Sequence, residues 1–178
     1  MAIKNIASAP LAVVALAGII FAAPLNNITQ RPSPPGTAEI TLKGKKIAIA
    51  YSRPSMRGRK IVGGLVPFGE VWRTGANEAT SLVTETDLTI GGVAVPKGKY
   101  TLYSIPSERG WKLIINKQTG QWGTEYNQGQ DLARVDMKVE KLSSPVEVFT
   151  INLKPAGAGA VLSLEWETTK ASVDIAAK

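Results

Sequence analysis

The sequence predicts an all-β domain, a sandwich or partly closed barrel of about nine short strands, preceded by one N-terminal transmembrane helix. From residue 37 onward, apolar and polar residues alternate with the period of a strand. Turns are frequent there, in a chain of 178 residues with 17 glycines and 11 prolines. An uncharged apolar run stands before this part. The patterns divide the chain into an anchor over residues 1–25, a proline-rich linker over 26–36 and the domain over 37–178.

Residues 6–25 are the predicted membrane-spanning segment. They contain no charged residue, and a helix of this length spans about 30 Å, the thickness of a bilayer core. A cleaved export signal is the alternative. A cleavage site near the end of the run would place the bulky Phe21 where a small residue is needed, and Pro24 directly after the cut. An uncleaved anchor in the lipid bilayer is therefore the preferred interpretation.

The charges that flank this segment predict its orientation. Lys4 is the one charged residue before Arg31, and the positive-inside rule places it in the cytoplasm. We therefore expect a single-pass inner-membrane protein with a cytoplasmic N-terminus and a periplasmic domain. The linker contains Pro32, Pro34 and Pro35, which favour an extended, semi-rigid spacer that keeps the domain close to the membrane.

The domain consists of strand-like segments separated by turns. Gly44, the Gly91–Gly92 pair and residues 106–110 mark turns between segments that are rich in β-branched and aromatic residues. No sustained helical periodicity follows the anchor. The expected strands are residues 38–42, 47–51, 81–86, 88–90, 93–95, 100–105, 111–115, 133–138, 146–153, 161–166 and 172–175.

Two residue types are missing from the sequence, since it contains no histidine and no cysteine. Disulfides, thiolate nucleophiles, Cys/His zinc sites, histidine-ligated haem and Ser-His-Asp triads are thereby excluded. We therefore expect a protein that is not an enzyme and that holds no cofactor or metal of its own.

The positive charge is concentrated in one segment. Eight basic residues and one acid lie between Lys43 and Arg73, so this segment carries the whole formal net charge of +7. Nucleic acid is not the expected partner, because Tyr51, Phe68 and Trp72 occupy positions that a β-sheet core also claims. An anionic protein surface or lipid headgroups are the expected counterparts.

The same segment contains the candidate site residues. The planar guanidinium of arginine suits paired hydrogen bonds to carboxylate or phosphate. The candidate anion- or partner-binding residues are Arg53, Arg57, Arg59, Lys60 and Arg73. The candidates for the network that supports them are Glu70, Asn77 and Glu78.

Three interpretations of this group stay open. The favoured one is an internal network of ion pairs and hydrogen bonds that holds a long loop to the sheet, and the second is an anion pocket. The third is catalysis by Glu70 and Glu78, but neighbouring arginines lower a carboxyl pKa, the wrong direction for a general acid. The expected division is a structural role for Arg53 and Arg73, and an outward orientation for Arg57, Arg59 and Lys60.

The tryptophans divide into core and surface candidates. Trp111 and Trp166 stand inside alternating strands and are expected in the core, as is Trp72. Trp122 and Tyr126 lie in a polar, glycine-rich loop and are the candidate interface anchors.

Three motifs are similar to those of a known family. They are Tyr-Ser-Arg-Pro-x-x-Arg-Gly-Arg at residues 51–59, Gly-Glu-Val-Trp-Arg-Thr-Gly-Ala-Asn-Glu-Ala-Thr at 69–80, and Pro-x-Gly-x-Tyr-Thr-Leu-Tyr-x-Ile-Pro at 96–106. Over residues 38–152 the chain resembles DUF2911, a family of bacterial exported domains. The resemblance implies an exported β-sandwich and no known reaction. The uncleaved anchor departs from many relatives, which look secreted or lipid-anchored.

These features favour a non-enzymatic accessory subunit that docks its periplasmic domain onto a larger membrane complex. The combination resembles a small extra subunit of a bacterial photosynthetic reaction-centre–light-harvesting complex. That resemblance implies reaction-centre and antenna subunits as partners, which would hold the pigments because this chain has no histidine. A periplasmic binding module for an anionic glycan or lipid, and a cryptic hydrolase, are the alternatives.

Overall fold

A computed structural model describes residues 31–178, and in this range the chain is all-β, as predicted. The nine strands are β1 (Pro35–Leu42), β2 (Lys45–Ser52), β3 (Ser81–Thr84), β4 (Leu88–Ile90), β5 (Val93–Val95), β6 (Gly98–Ile105), β7 (Trp111–Asn116), β8 (Asp131–Ala156) and β9 (Gly159–Ala177). A three-residue 3₁₀ turn, Gln128–Gln130, precedes β8. The predicted anchor lies outside the described residues. Between residues 31 and 178 no helix is long and apolar enough to cross a membrane.

All nine strands belong to one antiparallel sheet in the order β1-β2-β3-β6-β7-β8-β9-β4-β5. The sheet is not closed, because its two outer strands, β1 and β5, do not pair with each other. The structure therefore has one open sheet, where the sequence predicted a sandwich or a partly closed barrel. Period-two alternation reveals which residues are buried, but it does not reveal whether a strand ends at a sheet boundary or continues through it.

The two longest strands explain why there is a single sheet. The strands predicted at residues 133–138 and 146–153 are one strand, β8, and those predicted at 161–166 and 172–175 are one strand, β9. Their ladder shifts register at Lys141/Val146 and at Val146/Thr150, where Glu167 adopts a positive φ of 54°. Such irregularities bend a strand without ending it.

The core is a single cluster to which all nine strands contribute buried apolar residues. Ile47 and Ile49 on β2, and Leu113 and Ile115 on β7, are completely buried. Burial of each such side chain stabilises the fold by about 1.5–3 kcal/mol. The period-two pattern therefore predicted these core positions correctly.

Aromatic side chains close one end of this core. The rings of Trp72 and Trp166 stack with centroids 5.7 Å apart, and Phe149 meets Trp72 edge-on at 5.0 Å. Trp111 and Trp166 are buried, as predicted, while Trp72 is half-buried. Because Trp72 is half-buried, part of its ring is exposed to solvent.

The distal half of β8, residues 146–156, pairs with β9 along one edge. The other edge of this half is covered by residues at and after the end of β2. The Ile151 N–H donates to the Tyr51 hydroxyl at 2.9 Å. Phe149 N–H donates to the Pro54 carbonyl at 2.9 Å, and Ser55 forms an isolated bridge with Val148. These contacts satisfy backbone groups that an open sheet edge would leave unpaired.

We predict that Tyr51→Phe destabilises the domain by about 1–3 kcal/mol, because it leaves the buried Ile151 N–H without a partner. Tyr100→Phe is the matched control, since the Tyr100 hydroxyl donates to the carbonyl of the exposed Pro96, which water can reach. Urea unfolding of both variants measures the difference. An equal loss of stability in the two would show that the Tyr51 hydroxyl does not hold the edge of β8.

Candidate functional site

The long segment between β2 and β3, residues 53–80, contains most of the predicted site residues and forms no named strand. Trp72 binds Ser104 on β6 through two backbone hydrogen bonds of 2.7 and 2.9 Å. Glu78 forms an isolated bridge with Trp122, in the segment that follows β7. The segment is therefore fixed across the sheet at several points rather than free in solvent.

Two carboxylates on the long strands also hold this segment. Glu147 Oε1 accepts a hydrogen bond from the backbone N–H of Arg57 at 2.9 Å. Glu167 Oε2 accepts one from the backbone N–H of Val62 at 3.2 Å. Neither role could be predicted from the sequence, because both glutamates lie inside strands that are far from the segment along the chain.

A cleft of about 680 Å³ opens between this segment and the residues that follow β7. Its floor and walls combine aromatic, apolar and charged side chains. The lining includes Arg59, Leu65, Glu70, Val71, Trp72, Arg73, Tyr103, Gly123, Tyr126 and Trp166. Of the predicted site residues, the cleft therefore brings together Arg59, Glu70, Arg73 and Tyr126.

Arg53 and Arg59 bind oxygen atoms of the protein itself. Arg53 is half-buried, and its Nη2 donates to Thr150 Oγ1 at 3.1 Å. Arg59 is exposed, and its Nε and Nη2 donate to the carbonyls of Met56 and Ser55 at 2.9 and 2.7 Å. Arg53 thus attaches the segment to β8, whereas Arg59 is oriented by hydrogen bonds to carbonyls three and four residues before it.

Arg57 and Asn77 hold the residues that lead into β1. Arg57 Nη2 donates to the Pro32 carbonyl at 3.3 Å, and Asn77 Nδ2 donates to the Ser33 carbonyl at 3.2 Å. Residues 31–34 are therefore attached to the domain, and β1 begins at Pro35, inside the range predicted as linker.

Glu78 binds the same leading residues through an ion pair. Arg31 Nη1 lies 2.6 Å from Glu78 Oε1, and this hydrogen bond lowers the pKa of the Glu78 carboxyl. Within residues 31–178, none of the four predicted arginines pairs with Glu70 or Glu78. The expected ion-pair network among them is replaced by hydrogen bonds to backbone carbonyls, which sequence patterns do not reveal.

Arg73 is held by its aliphatic part. A Cβ atom placed on Gly123 would lie 2.9 Å from Arg73 Cδ and 2.7 Å from the Asn77 carbonyl oxygen, so only glycine fits there. Within residues 31–178 the Arg73 guanidinium takes part in no ion pair. Lys60, next to Arg59, is exposed.

Exposed apolar side chains cluster around the cleft. Leu65 and Val71 line it with 49% and 36% of their surface exposed. Trp122 (45% exposed) adjoins the lining residue Gly123 in sequence, and Phe68 (41% exposed) lies between the lining residues Leu65 and Glu70. We call these four residues, together with Arg59, Lys60 and Arg73, the loop face. Leu65 and Val71 were missed from the sequence, where their only signal is their occurrence in a glycine-rich segment. Phe68 occupies a position that a β-sheet core also claims, but it is exposed.

The two predicted interface anchors differ. Trp122 is exposed, but Tyr126 is half-buried, with its ring 4.9 Å from that of Tyr103. The Tyr126 hydroxyl donates to Asp131 Oδ2 and accepts from Arg134 Nη2, both at 2.7 Å. Burial raises the pKa of Tyr126. Tyr126 therefore lines the cleft with its ring and hydroxyl held by neighbouring residues, and it is not an exposed interface anchor.

We predict that Gly123→Ala lowers stability by about 1–3 kcal/mol, because the added methyl group forces Arg73 or the Asn77 carbonyl to move. Gly110→Ala is the control, since a Cβ atom there meets only the Met137 carbonyl at 3.7 Å. Thermal unfolding of the two variants tests this. Equal melting temperatures would mean that Arg73 does not pack tightly on Gly123.

Comparison with known families identifies the domain. Residues 33–175 match the family described as "Protein of unknown function (DUF2911)", which covers all three motifs and the whole loop face. No curated protein and no solved structure matches the chain. The resemblance seen in the motifs is thus confirmed, and the chain belongs to the DUF2911 family.

Proposed function

We propose that this chain is a non-enzymatic accessory subunit, anchored in the inner membrane through residues 6–25, that docks its periplasmic domain onto a larger membrane complex. The observation that carries the proposal is the loop face. Two of its exposed apolar side chains (Leu65 and Val71) and two of its basic ones (Arg59 and Arg73) line one cleft, and its other three members are exposed in the same two segments of the chain.

The composition of the loop face is typical of a protein interface. Trp122 and Phe68 are large aromatic side chains left exposed. Exposed apolar side chains that are grouped, unlike single ones, indicate an interaction site. Aromatic residues and arginine are also the residue types enriched at binding hot spots. Single exposed leucines or valines are common on protein surfaces and would not indicate an interface. Leu65 and Val71, however, line the same cleft as Arg59 and Arg73.

The charge of the loop face favours an anionic partner. Within residues 31–178, Arg59, Lys60 and Arg73 make no ion pair, so their charges are available to a partner. Complementary charge at an interface accelerates association and selects the orientation of the partners.

The attachment of residues 31–34 to the domain favours a partner in or at the membrane. Arg57, Asn77 and Glu78 hold these residues, so little free chain is left between the proposed anchor and the domain. A photosynthetic reaction-centre–light-harvesting complex is the specific partner suggested by the sequence resemblance. In such a complex the chain would act as scaffold, because it has no histidine to hold a pigment.

A binding module for an anionic glycan or lipid is the second candidate. The volume of the cleft, about 680 Å³, falls within the usual range for small-molecule sites, and its floor is aromatic. A hydrolase is less well supported, because Arg31 lowers the pKa of Glu78, whereas a general acid needs a raised one.

We predict that replacing Arg59, Lys60 and Arg73 together with glutamine weakens retention in the complex by about tenfold or more. The matched control replaces Lys45, Lys99 and Lys154, which are exposed, lie outside the cleft lining and give the same change of charge. Retention is measured by gentle detergent extraction, followed by mass spectrometry of the co-purifying proteins. Thermal unfolding of both variants is measured in parallel.

The proposal predicts lost retention with unchanged unfolding for the loop-face variant only, and retention of the unmodified chain that weakens as salt rises. Equal retention of the two variants would contradict docking through this face. If the melting temperature of the loop-face variant fell by several degrees, these residues would instead be structural.

A further inference from the structure

We propose that the cleft receives a short acidic segment of the partner protein, in which a carboxylate neighbours an aromatic or aliphatic side chain. The inference rests on the proposed function and deepens it, because it names the chemistry of the partner at one place on the loop face.

Two positioned cations provide the polar half of this site. Arg59 lines the cleft with its Nε and Nη2 bound to the carbonyls of Met56 and Ser55, which fixes the plane of its guanidinium. Arg73 lines the same cleft with its stem packed on Gly123. A cation that is already oriented loses less conformational entropy when a carboxylate binds.

The apolar half of the site is a rigid floor with exposed walls. Trp72 is stacked on Trp166 at 5.7 Å and supported edge-on by Phe149 at 5.0 Å, so its ring is held in place. Leu65 and Val71 line the same cleft and are 49% and 36% exposed. A phenylalanine or leucine side chain seated here would cover apolar surface that is open to water in the free domain.

Glu70 argues for a carboxylate-bearing peptide and against a polyanion. It lies in the same cleft as Arg59 and Arg73, so the lining cations exceed the lining anions by one charge. A phosphorylated glycan or an anionic bilayer presents many charges and few apolar groups, and Glu70 would repel it. One acidic side chain beside an apolar one matches both halves of the cleft.

The test uses the full chain, solubilised in a zwitterionic detergent and labelled with 5-fluorotryptophan at its four tryptophans. The probe is the peptide acetyl-Gly-Glu-Phe-Gly-Gly-amide, which carries one carboxylate. Its matched controls are the uncharged acetyl-Gly-Gln-Phe-Gly-Gly-amide and the acidic acetyl-Gly-Glu-Gly-Gly-Gly-amide. Fluorine NMR follows the Trp72 signal, which is assigned with a Trp72→Phe variant.

The acidic phenylalanine peptide should shift the Trp72 signal saturably, with at least fivefold weaker binding of either control peptide. Arg73→Gln and Leu65→Ser should each weaken binding about fivefold or more, Arg73→Lys should restore part of it, and Lys99→Gln should leave it unchanged. Thermal unfolding shows that each variant is folded.

Three results would overturn the inference. They are equal binding of the uncharged peptide, no saturation below about 5 mM, and a Trp72 shift produced only by vesicles containing phosphatidylglycerol. Each leaves the proposed function standing if the unmodified chain is still retained in its complex. Loss of that retention, with the peptide still bound, would contradict the proposed function and not the cleft chemistry.

Discussion

The structure depends on how the free edge of the distal half of β8 is covered. That half pairs with β9 on one side, and on its other side the N–H groups of Ile151 and Phe149 donate to the Tyr51 hydroxyl and the Pro54 carbonyl. After β2 the chain runs along this edge of β8 through Pro54 and Ser55 before it returns to β3. Residues 53–80 are the path by which it returns, and this return path builds the cleft and the loop face.

The same constraint separates two kinds of basic residue that look alike in the sequence. Arg53 is used at the covered edge, where its guanidinium binds Thr150. Arg57 is used at the chain that leads into β1, where it binds the Pro32 carbonyl. Arg73 is held only by packing, which leaves its guanidinium available in the cleft. Stability and the proposed recognition therefore use different residues of one continuous motif, so they can be tested separately.

Much of this could be predicted from the sequence, because burial imposes a period of two on each strand. The strand positions and the buried Trp111 and Trp166 follow from that period. The continuity of β8 could not be predicted from that period. Residues 143–145 (Ser-Ser-Pro) are typical of a turn, but they form a bulged stretch of strand. The partners of the arginines were also beyond prediction, because backbone carbonyls carry no residue-specific signal.

The predicted site was correct in its region and incomplete in its members. Charge composition and the glycine-rich motif pointed to residues 53–80, where the cleft lies. The apolar part of the loop face was missed, since Leu65 and Val71 were not among the candidates and Phe68, at a position that a β-sheet core also claims, is exposed instead. Tyr126 was expected to be exposed, but a contact with Tyr103 that depends on the three-dimensional fold holds it in the cleft wall.

Hydrogen exchange, compared between the free chain and the chain in its membrane complex, tests the docking of the loop face most directly. Docking predicts that amide protection rises in residues 59–73 and 120–126 and is unchanged along the outer strands β1 and β5. Protection confined to β1 or β5, with residues 59–73 exchanging as in the free chain, would contradict the account.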